Sequence, residues 1–203
     1  MKIELKKIEF SERMSQETNC FTANLYIDGK YVGEASNTGI GGPTDYESYS
    51  EEGRALIKKA EEYCKGLPSE TFESGGQTYT LKMSLESYID DLMSKYLKEQ
   101  QTKKLLAKMK QHIVFSRDVS VYYQTLRLPQ PIDQMLSNQK GRNYIQLALL
   151  DIEKQLKDGE KILNPNIPVQ QYRDFGIKEG SYQPMEIKSN IKPEATKKKG
   201  KSL

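Results

Sequence analysis

At 203 residues, with 36% hydrophobic and 29% charged side chains and no tryptophan, the chain can bury one proper core while part of it stays outside. Two cysteines and one histidine exclude a disulfide framework and leave any His-based metal cluster to be assembled only between subunits. No run approaches the roughly 18 apolar residues of a membrane span, and the charged start Met1-Lys2-Ile3-Glu4-Leu5 does not read as a signal peptide. The expectation is a cytoplasmic protein that uses no membrane, metal or cofactor.

The formal net charge of +3 is unevenly spread. From Asn164 onward there are 8 Lys or Arg against 4 acids, which leaves about −1 for residues 1–163. The spacing of apolar residues divides the chain the same way: a single α+β domain over 1–163 and an extended or partly disordered basic tail over 164–203.

In chain order, Lys2 to Phe10 alternates apolar and charged residues as a strand does. In Cys20 to Ile27, residues Phe21, Ala23, Leu25 and Ile27 share one face, and Asp28-Gly29 is a type I′ hairpin signal leading into a return strand over 30–35. Asn37-Thr38-Gly39-Ile40-Gly41-Gly42-Pro43 then stops regular structure. Ser48 and Glu51 have capping-box spacing, and Leu56, Ala60, Tyr63 and Leu67 recur at helical spacing up to a C′ glycine, Gly66. A glycine loop leading to a helix N-terminus offers N–H groups to an anion, so Asn37, Gly39, Gly41, Gly42 and Asp45 are candidate ligand-binding residues. The bland reading is a connector that needs glycine for its backbone angles. The loop lacks the Gly-Lys-Ser/Thr ending of a P-loop, and Glu51-Glu52 in the first helical turn repels anions.

The order strand, Asp-Gly turn, strand, Gly-rich loop, helix over about residues 21–67 resembles the second half of a double-stranded-RNA-binding domain. That family holds phosphates with a lysine pair at the helix start. The matching positions here are Ser50, Glu51 and Glu52, so the resemblance implies topology and not RNA contacts. Separately, Phe21-Thr-Ala-Asn-Leu-Tyr-Ile-Asp-Gly-Lys, followed by Val32-Gly33 and the Asn37 to Gly42 loop, is similar to the amino-terminal part of small uncharacterised proteins of phages and mobile elements. This implies a setting, with a host macromolecule as partner, rather than an activity.

Farther along, Gly75-Gly76 between two short β-prone runs predicts a hairpin that could bring the sheet to five strands. Leu85, Tyr88, Ile89, Leu92, Met93, Tyr96 and Leu97 predict a helix after N-cap Ser84, continuing to about Lys110. Its later half is basic: Lys103, Lys104, Lys108 and Lys110 form a candidate nucleic-acid or partner-binding stripe, with Lys103 and Lys110 two turns apart on one face. The alternative is a solvated face whose cations suit the helix carboxyl end. His112 reads as a boundary residue. Ile113 to Phe115 and Val119 to Leu126 predict a hairpin around Ser116-Arg117-Asp118, with Tyr122, Tyr123 and Arg142 available to stack on bases or, more ordinarily, to pack. Pro131 suits a helix start, Asn138 to Gly141 a break, and 143–157 a last helix. In the tail, prolines interrupt every candidate element, although Tyr172, Phe175 and Ile177 are apolar enough to dock, and Lys197, Lys198 and Lys199 form a further basic candidate site.

The fold class expected is α+β, a mainly antiparallel sheet built from hairpins with about three packed helices. No nucleophile with a partner base and no metal-ligand spacing is found. The leading functional expectation is therefore a non-catalytic protein, not an enzyme, that binds a host macromolecule or a nucleotide-like or nucleic-acid ligand; antagonism of host defence fits it. Two alternatives stand beside it. One is a structural or assembly protein that docks, or self-associates, through its tail; the other is a nucleotide-processing enzyme that uses the Gly39 to Asp45 loop.

Overall fold

A computed structural model describes residues 1–186, apart from the side chains of Glu70 and Phe72. The fold is α+β with antiparallel sheets, and the chain divides into two compact units, 1–101 and 102–203.

In the first unit, β1 (Ile3–Phe10), β2 (Phe21–Ile27), β3 (Lys30–Asn37) and β4 (Asp45–Glu47) form a four-stranded sheet in that order. The odd residues of β2 are buried and the even ones are not, as a sheet covered on one face requires. In β1 the apolar residues change parity, from Ile3 and Leu5 to Ile8 and Phe10. A bulge explains this: Lys7 has φ +50° and the pairing with β2 shifts between Lys6 and Glu9, so all four side chains reach the same core. Asp28 (φ +49°) and Gly29 (φ +82°) make the expected turn.

α1 (Glu51–Lys65) packs on β2 and β3. Its cap is Ser50, whose Oγ accepts from Gly53 N at 3.0 Å, and not Ser48, whose hydroxyl instead holds the preceding turn. Gly66 ends the helix but at φ −85°, so the left-handed angle expected of a C′ glycine is absent there. Gly75 and Gly76 have positive φ and join β5 (Glu70–Ser74) to β6 (Gln77–Leu81), but this hairpin is a separate two-stranded sheet. Every residue of β6 is exposed, so β6 offers no buried face with which to extend the main sheet. α2 (Leu85–Met109) starts at cap Ser84 and buries Leu85, Ile89 and Met93 in the core of the first unit.

The second unit contains the last turns of α2, a sheet in the order β8-β7-β9, and three helices. β7 (His112–Ser116) is central, with β8 (Gln124–Arg127) and β9 (Lys161–Ile162) on either side. The predicted strand from Val119 forms only from Gln124. Asp118 captures the intervening residues in a turn: its carboxylate accepts from the N–H and hydroxyl of Ser120, and its carbonyl from the N–H groups of Val121 and Tyr122. After α3 (Ile132–Leu136), α4 (Gln139–Gln155) starts earlier than expected because Asn138 is its cap, accepting from Gly141 N at 2.8 Å. Gly141 is not a break. A Cβ there would lie 2.2 Å from the Met135 carbonyl oxygen, so glycine permits α3 and α4 to close together.

Residues 164–186, which the prolines had suggested were tail, are built into this unit. Asn164 is fully buried; its Oδ1 accepts from Val114 N at 2.7 Å and its Nδ2 donates to His112 O at 2.8 Å. In α5 (Val169–Asp174), Tyr172 is 0% exposed and its hydroxyl donates to Asn164 O at 3.1 Å. Pro168 is the helix N-cap residue, where a missing N–H costs nothing. The prolines punctuate short elements whose apolar residues then do the packing.

Candidate functional site

Two places carry the expected site residues. The first is the glycine loop between β3 and β4. Asn37, 7% exposed, holds it with every polar position of its side chain in use. Its Oδ1 accepts from the Thr18 hydroxyl at 2.7 Å and Gly39 N at 2.8 Å. Its Nδ2 donates to Gly42 O and Thr44 Oγ1, both at 3.1 Å. Thr44 in turn donates to Asp90 Oδ1 on α2 at 2.5 Å, and Gly39 O accepts from the N–H groups of Gln16, Glu17 and Thr18. Gly39 (φ +86°) and Gly41 (φ +89°) need glycine for their backbone angles.

Asn37, Gly41 and Gly42 line a cavity of ≈ 520 Å³ beside this loop; Gly39 stands behind it against Met14 O, and Asp45 lies on β4 outside the lining. Among the described residues, the charged groups of the lining are Glu17, Glu86 and Asp90, with no lysine or arginine. The Glu17 carboxylate stands beside Gly41, where a Cβ would lie 2.1 Å from its Oε2, and the Gly41 N–H that an anion would need donates to Thr18 Oγ1 at 3.3 Å. An acid-lined, internally bonded loop suits a connector and repels phosphate. Glu17, Thr18, Glu86 and Asp90 were missed in the sequence because they lie in other segments with no periodic relation to the loop, and Thr44, within it, shows its role only through its bonds to Asn37 and Asp90.

The second place is in the other unit. Lys103, Lys104 and Lys108 are exposed on the last turns of α2, and Lys110 is exposed one residue past its end. The pair expected on one face, Lys103 and Lys110, is therefore not a helical pair. The i, i+4 pair Lys104 and Lys108 is. Lys108 Nζ stands 5.2 Å from the ring centroid of Tyr123, which is 39% exposed. Val114 pairs with Thr125 and His112 with Arg127, and Val114 packs with Leu105 and Met109 of α2. Paired residues of a sheet share a face, so Thr125 and Arg127, and Tyr123 two residues before, lie on the face that meets α2. Lys104, Lys108, Tyr123 and Arg127 thus converge from two elements 15 or more residues apart in sequence.

Tyr122 does not join them. Its hydroxyl donates to Glu160 Oε1 at 2.9 Å, beside Gln124 Nε2 at 3.1 Å, while Lys157 N donates to Oε2 at 2.9 Å. Glu160 is 5% exposed, and these bonds, the Lys157 N–H first among them, hold its carboxyl below the usual carboxylate range. Arg142 Nε donates to Leu136 O at 2.7 Å, which fits it to cap the carboxyl end of α3. His112, at the start of β7, bonds the Lys108 carbonyl through Nδ1 at 3.0 Å. Lys197, Lys198 and Lys199 lie outside the described residues.

Charge separates the two places. Residues 1–101 hold 12 Lys and Arg against 18 Asp and Glu, and residues 102–203 hold 19 against 10, so the units carry about −6 and +9. Up to residue 186 the second unit still has 13 against 9. Its basic character is thus not confined to the terminal lysines. Among the described residues no group of three or more His, Cys, Asp and Glu could hold a metal ion, and no helix is long and apolar enough to cross a membrane. Compared with known proteins, the chain matches no family model, no curated protein and no solved structure.

Proposed function

We propose that the protein is a non-catalytic nucleic-acid-binding protein whose binding face is the Lys104, Lys108, Tyr123 and Arg127 surface of its second unit. The observation that carries this reading is the Lys108 ammonium over the exposed Tyr123 ring, in the half of the chain that is strongly basic. Cations in register along a helix and a strand neutralise backbone phosphates, and an aromatic ring among them offers a surface to bases. The nucleotide-processing alternative fares worse, because the groups of the glycine loop bond one another and carboxylates ring its cavity. In the setting of a phage or mobile element, such a protein would act by occupying host or element nucleic acid.

The test is a salt series of oligonucleotide binding with the full chain and with Lys104→Ala and Lys108→Ala. Each substitution should weaken binding at low salt and reduce the slope of log K against log salt by about 0.7–0.9, one phosphate contact. Unchanged slopes in both variants would remove this face and leave the terminal lysines as the only basic candidate.

A further inference from the structure

Resting on that reading, we infer that the ligand is a single-stranded nucleic acid, one of whose unpaired bases stacks on Tyr123. The site is small and edge-like. β8 is the outermost strand of its sheet, and all four of its residues are exposed. Tyr123 enters that strand from the loop that Asp118 and Ser116 fasten, the Ser116 hydroxyl donating to Tyr122 O at 2.5 Å. The ring is therefore held at a fixed place and not on a free loop. One side carries the Lys108 ammonium at 5.2 Å, while 39% of the residue is open to solvent.

A duplex can use this ring only at a cost. Its base faces are covered by neighbouring bases, and reaching one requires flipping it out at a cost of a few kcal/mol. In single strands the base faces are available, and a cation beside an aromatic ring lets a phosphate and its own base be held together. Lys104 lies one helical turn from Lys108, and Arg127, four residues beyond Tyr123, ends β8. These cations lie on either side of the ring along the helix and the strand, where the phosphates flanking one stacked nucleotide would be neutralised. The edge of β8 further presents a row of outward N–H and C=O groups to the edges of a splayed base. Such stacking is tolerant of base identity, so the expected preference is for strandedness over sequence.

The experiment uses the full chain, an oligothymidylate of about ten nucleotides, its duplex with oligoadenylate, and the variants Tyr123→Leu and Tyr123→Phe. The single strand should bind more tightly than the duplex. Tyr123→Leu should weaken it about 5- to 150-fold, the loss of one stacked base, while Tyr123→Phe should bind within about twofold because the ring is retained. An oligomer carrying 5-iodouracil should photocrosslink at Tyr123, located by mass spectrometry of the digested adduct. Equal affinity for both strandedness forms, with Tyr123→Leu neutral and crosslinks elsewhere, overturns the inference. If that occurs while Lys104→Ala and Lys108→Ala still weaken binding, the face stands and only the single-strand assignment falls; if the lysine variants are neutral too, the proposed function falls with it.

Discussion

The rings of Tyr172 and Tyr182 are stacked, 4.5 Å between centroids and 6° from parallel, within a stretch of chain that is dense in proline. Tyr172 is wholly buried and its hydroxyl reaches back to the Asn164 carbonyl. The stack ties residues 164–182 to the strands of the second unit, where Ile162 bridges Tyr182. Tyr172→Ala should therefore cost about 3–5 kcal/mol, as for other large aromatics in cores, and Tyr172→Phe about 1 kcal/mol through the unsatisfied carbonyl. Urea denaturation measures both. Losses near zero would mean that this segment contributes nothing to the fold.

In the glycine loop, the obstacle met by an added Cβ predicts the order of damage. At Gly39 it would meet the backbone oxygen of Met14 at 2.3 Å, and at Gly41 the movable end of Glu17 at 2.1 Å, with positive φ at both. Gly41→Ala should cost about 1–2 kcal/mol, mostly backbone strain, and Gly39→Ala clearly more, because a backbone atom must shift. Equal losses would contradict this account. Neither variant, once folded, should change oligonucleotide affinity.

Asn37→Asp tests the hub of the same loop. An aspartate presents an acceptor to Gly42 O in place of the Asn37 Nδ2 donor, in a buried position. The expected loss is about 2–4 kcal/mol at neutral pH, and it should diminish on acidification as the carboxyl protonates. A pH-independent loss would point to another cause.

Glu160 predicts an acid dependence. Its carboxyl is held below the usual range, chiefly by the Lys157 N–H. Below the unfolded glutamate value of about 4.3, the unfolded chain takes up the proton first. The stabilisation is thus complete above that pH and is lost as pH falls through the lower folded value. Glu160→Gln should lower stability at pH 7 and flatten the decline of stability below about pH 4.3, read from urea midpoints across a pH series. An unaltered acid slope would show that Glu160 is not the group responsible.

Gly141→Ala should cost about 1–3 kcal/mol, because its Cβ would press on the Met135 backbone where α3 meets α4. The melting temperature should fall accordingly, and an unchanged value would mean the helices can part without loss.

How much of this was written in the chain depends on the range of the interaction concerned. The alternation of β2, the Asp28-Gly29 turn, the Ser84 cap and the apolar face of α2 are local patterns of two to four residues. They follow from backbone geometry and side-chain direction alone, and they were legible. Even the Lys7 bulge left a mark, in the parity change of the apolar residues of β1. The two-unit division, the separate hairpin sheet and the folding of residues 164–186 were not legible. Each depends on which groups find partners across long sequence distances, as the Asn164 amide does with the Val114 N–H and the His112 carbonyl. The glycine loop was located by its composition, but its acidic surroundings come from Glu17, Glu86 and Asp90, which only the fold assembles. Likewise the lysines of α2 and the tyrosine before β8 were visible one by one. That Lys108 lies over Tyr123 and that Arg127 shares their face was decided by the register of β7 with β8 and by the packing of Val114 on α2, which no local pattern specifies.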